Sequence, residues 1–182
     1  GFIEKALKEN NKDIFGFNVK GLLLLSNYKT NEAIRVFERA ILINKNYPDS
    51  YNNLGKCFYE LENLELAFQN FKKAFRINPQ FDLAIINIAN VLSLRDKNIV
   101  AINFYNKALK LEPKRPELIY NMGLAYTYLG NYKKAEYLLN KSLVIQNKIN
   151  YKSLKLFTIT HFKLFPIALY IKCAATVEST PP

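Results

Sequence analysis

Apolar and small residues recur along the chain in helix-like groups. A bulky residue, a small one and a second bulky residue follow at spacings of three and four: Phe17, Gly21, Leu24; Tyr51, Gly55, Phe58; Ile85, Ala89, Leu92; Ile119, Gly123, Tyr126. Those spacings put each group on one face of a helix. Every column repeats at 34 residues. A second amphipathic stretch follows each first one. It carries Ala33, Ala67, Ala101 and Ala135, then Phe37, Phe71, Tyr105 and Leu139, then Ala40, Ala74, Ala108 and Ser142, again in register. Each unit therefore predicts two helices. The small residue lets the two backbones approach, and the alanine of the second helix is the expected counterpart. A bulky residue at such a contact costs roughly 1–3 kcal/mol. Pro48 and Pro116 stand where first helices begin, a place proline tolerates. Glu62-Asn63 and Gly130-Asn131 stand where the helices turn, and Pro79 and Pro113 close two units.

These columns resemble the tetratricopeptide repeat over about residues 14–147. The second unit carries the pattern most fully, with Tyr51, Leu54-Gly55, Phe58, Ala67, Phe71, Ala74 and Pro79. Departures are Lys20 in an apolar column, Lys45 and Asn147 in place of the closing proline, and Ser142 in place of alanine. The resemblance implies an all-α fold, a right-handed superhelical solenoid of antiparallel helix pairs. Four full repeats are expected, at 14–47, 48–81, 82–115 and 116–149, after a leading half-repeat. Ile3 and Ala6 precede Phe37 and Ala40 by one period, so residues 1–13 read as the second helix of a truncated repeat. The chain starts at Gly1, and a fragment of a longer protein is the expectation.

Charge and chemistry narrow the function. The formal charge is +11, which raises nucleic acid or an anionic membrane as partners. Lysines and arginines fall mainly on second helices and unit junctions, which the family places on its outer side or edges. A solvated outer face is the preferred reading, and it argues against a nucleic-acid partner. The array has no histidine; His161 lies in an apolar stretch of the tail without a nearby carboxylate. Cys57 and Cys173 form no paired-cysteine motif, and no glycine-rich phosphate loop occurs. No catalytic residue, metal site or cofactor is expected. No signal peptide is visible, and a cytoplasmic location is the expectation, with the true N-terminus outside this chain.

The family's first helices line a concave groove. In this chain Asn53, Asn87 and Asn121 form one column there, broken by Val19. A side-chain amide offers a donor and an acceptor, the complement of a peptide unit. Each hydrogen bond contributes only about 0.5–1.5 kcal/mol, so such a ladder needs several rungs. The column resembles the asparagine ladder in the repeat domain of O-GlcNAc transferase, which implies a grip on peptide backbones. Asn52, Lys56, Tyr59, Asn90, Tyr120 and Leu124 are the expected neighbours in the groove. Asn52, Glu117 and Asn121 stand where the chaperone-binding class of the family has its basic clamp, which argues against that class.

Residues 150–182 break the pattern and read as a degenerate apolar cap or tail, with a helix over 151–165 ending at Pro166. Lys163, Pro166 and Lys172 interrupt it as a membrane span. The functional expectation is a protein-interaction scaffold that binds an extended peptide or partner segment. A second reading is the substrate-recruiting arm of a larger enzyme, of glycosyltransferase or sulfotransferase type. A third is direct RNA binding.

Overall fold

The computed structural model describes Leu7 and residues 10–148. The expected helix over 151–165, the cap and most of the leading half-repeat lie outside the described residues. The fold described is that of the unit ending at Ile145. It is an all-α solenoid of antiparallel helix pairs, without a strand among the described residues. The helices are α1 (Ile14–Ser26), α2 (Thr30–Ile43), α3 (Pro48–Glu60), α4 (Leu64–Ile77), α5 (Asp82–Leu94), α6 (Asn98–Leu111), α7 (Pro116–Tyr128) and α8 (Tyr132–Lys148). Each packs on its neighbour in sequence, at least as far as α7.

Local chemistry sets the helix ends. Pro48 and Pro116 open α3 and α7 in the first turn, where no amide hydrogen is needed. The Asp13 side chain caps α1, accepting from the Gly16 amide at 3.0 Å. Every first helix ends in the same way. Tyr28, Glu62, Asp96 and Gly130 take left-handed backbone, with φ of 60°, 59°, 57° and 73°. The amide that follows reaches back across the turn: Lys29 to Leu24 O at 2.9 Å, Asn63 to Phe58 O at 2.9 Å, Lys97 to Leu92 O at 2.8 Å, Asn131 to Tyr126 O at 2.9 Å. This closure satisfies carbonyls that a helix end leaves open. Only Gly130 adopts that backbone without a steric penalty.

The contact between paired helices differs from the sequence expectation. An added Cβ on Gly55 would meet Phe71 Cε1 at 2.6 Å, and one on Gly21 would meet the Phe37 ring. At Gly123 the neighbour is Leu139, whose Cδ2 would lie at 3.0 Å. The nearest counterpart of the small residue is thus the bulky residue one turn after the alanine. Side chains on a helix lean toward its N-terminus, so Phe37 covers the turn where Ala33 sits. Ala33, Ala67 and Ala101 are fully buried. The main core runs across repeats, with Phe71, Ile85, Ile88, Val91, Tyr105 and Ile119 in one cluster. Leu7 packs with Phe17 and Ala40 at the other end. Each such large side chain contributes about 1.5–3 kcal/mol when fully buried. Ser142, in the alanine column, donates to the Pro116 carbonyl at 2.8 Å, so its buried hydroxyl is satisfied. Among the described residues no helix is long and apolar enough to cross a membrane.

Candidate functional site

The first helices of successive repeats touch one another directly, α1 with α3 and α5 with α7. Their shared face carries the asparagine column. Asn53 lies near the middle of α3, Asn87 of α5 and Asn121 of α7. All three amides donate to the preceding repeat. Asn53 Nδ2 reaches Asn18 Oδ1 at 3.2 Å, Asn87 Nδ2 reaches Asn52 Oδ1 at 2.9 Å, and Asn121 Nδ2 reaches Asn90 Oδ1 at 3.1 Å. The first two pairs share one offset. At the third, Ile86 occupies the acceptor's register position, and Asn90, one turn further along α5, accepts instead.

The acceptors are themselves held. Asn18 Nδ2 donates to the Ile14 carbonyl and to Ser50 Oγ, each at 2.9 Å. Tyr105, 2% exposed, donates its hydroxyl to Asn90 Oδ1 at 2.8 Å. Among the described residues no buried side-chain nitrogen or oxygen lacks a partner. These bonds fix which end of each amide faces which way. One N–H of Asn87 and of Asn121 points to the preceding repeat. The geometry leaves each a second N–H and the carbonyl oxygen, on side chains that are half-buried.

The expected neighbours fall into two groups. Asn52 and Asn53 are buried, at 1% and 7% exposure, and form the wall of the face. Asn52 acts on that face through Asn87 rather than through its own surface. Lys56 and Tyr59 are exposed, whereas Asn90, Tyr120 and Leu124 are half-buried. Burial raises the Tyr59 hydroxyl above its ordinary pKa, and it raises Tyr120 too, helped by Tyr128. Both phenols stay neutral donors at ordinary pH. Lys20 and Lys56 stand against Asp49, Glu60, Asp82 and Glu117 in this helix layer, so it is mildly acidic. Among the described residues no cluster could hold a metal ion.

Sequence reasoning missed Asn18, Ser50 and Tyr105, the residues that hold the column. A signal existed. Asn18 and Asn52 precede Asn53 and Asn87 by 35 residues, one more than the period, and that offset joins both hydrogen-bonded pairs.

Models described as tetratricopeptide repeat match residues 48–81 and 104–137, and a model described as TPR repeat matches 21–61. The BBSome complex member BBS4 of Bos taurus is 29% identical over 153 residues, 84% of this chain and 28% of the relative. The peroxisomal targeting signal receptor of Candida glabrata is 31% identical, over 53% of this chain and 17% of the relative. The UDP-N-acetylglucosamine–peptide N-acetylglucosaminyltransferase of Giardia intestinalis is 25% identical, over 57% of this chain and 7% of the relative. The chain thus spans less than a third of each of these relatives. Among solved structures, MamA superposes with a TM-score of 0.71 at 20% identity, over 80% of this chain and 85% of that one, a likeness of fold. With its period, its helix pairs and three matching models, the chain belongs to the tetratricopeptide repeat family.

Proposed function

We propose that this array is a protein-interaction scaffold whose first-helix face grips the backbone of an extended peptide. One observation carries the reading: Asn53, Asn87 and Asn121 recur once per repeat, each amide pinned by a hydrogen bond to the repeat before. A pinned amide loses little freedom when it binds, which favours affinity. The half-buried Asn87 and Asn121 are the rungs a ligand reaches, with Tyr59, Asn90 and Leu124 beside them. Similarity to a member of a complex and to a targeting-signal receptor supports a protein partner.

The test is a peptide array probed with the wild-type chain and with Asn87→Ala/Asn121→Ala. Loss of two rungs at about 0.5–1.5 kcal/mol each weakens binding roughly five- to 150-fold. Helicity should be retained, because Asn87 and Asn121 donate to oxygens that a water can serve. Equal binding by the double variant would sink the reading. Similarity to the Giardia transferase favours a second reading, in which the same face recruits substrate for a catalytic domain elsewhere in the protein. A catalytic domain in the same reading frame would decide for it.

A further inference from the structure

The opposite layer of the array carries a second repeating feature. Arg39, Lys73, Lys107 and Lys141 occupy equivalent places on α2, α4, α6 and α8. Each cation lies over an aromatic ring: Arg39 over Phe17 at 5.5 Å, Lys73 over Tyr51 at 4.7 Å, Lys107 over Phe75 at 4.2 Å, Lys141 over Tyr137 at 5.9 Å. Ring faces hold a cation without neutralising it. The ion pairs among the described residues use other cations, Lys29, Arg95 and Arg115, and none joins Arg39, Lys73 or Lys107 to a carboxylate. An exposed aliphatic side chain accompanies every member of the row. Leu42 and Val144 follow Arg39 and Lys141 by three, one turn away, whereas Leu66 and Val100 precede Lys73 and Lys107 by seven, two turns away along the helix. The first helices have the reverse balance, with Lys20 and Lys56 against Asp49, Glu60, Asp82 and Glu117.

We propose that the second-helix face docks on an anionic lipid surface. Cations flanked by exposed aliphatic side chains fit the headgroup layer of a bilayer, where charge attraction and shallow apolar insertion add. A solvated outer face explains scattered lysines, but not a cation parked on a ring at the same place in every repeat. A nucleic acid gains nothing from the aliphatic tips, and Phe17 and Tyr51, the rings under Arg39 and Lys73, are buried and offer no face to a base. The aliphatic tips fall three residues after the cation or seven before it, so they offer no single register to a protein segment. Lipids diffuse and need no register. This face is separate from the peptide face, so the two proposals fail independently.

The experiment is flotation of the full chain with vesicles of phosphatidylcholine alone or mixed with phosphatidylserine, at low and physiological salt. Binding is expected only to the anionic vesicles and should fall with salt. Arg39→Glu/Lys73→Glu/Lys107→Glu should weaken it at least about tenfold. Leu66→Ser/Val100→Ser, which keeps every charge, should weaken it about threefold or more. Circular dichroism checks that both variants remain helical; if the triple variant unfolds, the serine variant carries the test. Equal binding to both vesicles, or unchanged binding by a folded variant, would overturn the proposal. So would capture of an RNA oligonucleotide by a chain that ignores anionic vesicles.

Discussion

A methyl group on Gly55 would sit 2.6 Å from Phe71 Cε1, and Phe71 is only 1% exposed. The ring is enclosed and must push its neighbours to make room. Gly55→Ala gains up to about 1 kcal/mol of helix propensity and loses roughly 1–3 kcal/mol to overpacking. A net loss of about 1 kcal/mol is expected, read as a lower urea midpoint with an unchanged slope. The small-residue column was legible in the sequence because glycine and alanine recur in register. Its counterpart was not. Periodicity fixes which residues share a helix face, but not how far a side chain leans along its helix. That lean brings Phe37 and Phe71, rather than Ala33 and Ala67, nearest to the glycines.

At the scale of the element, the four second helices share a face pattern but not their starts. Asn63 caps α4, its side chain accepting from the Leu66 amide at 3.1 Å, and Asn131 accepts from the Lys134 amide at 3.2 Å on α8. Lys29 and Lys97, in the same place on α2 and α6, make no side-chain cap. Lys97→Asn should supply one and raise stability by about 0.5–2 kcal/mol, seen as a higher melting temperature at unchanged helicity. The helices themselves were easy to read, since Pro48, Pro116 and the apolar spacing mark them. The left-handed turn was legible chiefly at Gly130. Tyr28 and Glu62 adopt it because the helix pairing imposes the turn, and their side chains advertise nothing of it, whereas Asp96 is a residue type that visits this backbone more readily.

Across the whole array, burial keeps several acidic protons in place. The Cys57 thiol is pushed up from 9.0 to about 12, chiefly by burial, then by Glu60. Tyr59, Tyr105 and Tyr120 are raised above 10.0, each mainly by burial. A raised folded value means that the folded chain holds protons the unfolded chain releases. Stability is therefore complete below pH 9.0 and lost as pH climbs toward about 12. Melting temperature should decline over that range, and Cys57→Ala should move the onset up to where the tyrosines titrate. The period made this architecture readable, because a solenoid is built from nearest-neighbour contacts that repeat. The amide pairing that organises the candidate site stayed hidden, since it joins neighbouring columns of adjacent repeats and changes acceptor where Ile86 intervenes.

The central claim is that the asparagine face grips peptide backbone and is indifferent to side chains. Ester-for-amide replacement tests it most directly, in a peptide that binds the array. Each ester removes one backbone N–H and leaves every side chain in place. Two or more ester positions should each weaken binding about two- to twelvefold, while single alanine replacements at the same positions change it little. Full-strength binding by every ester variant, with loss on replacing one or two side chains, would contradict the account.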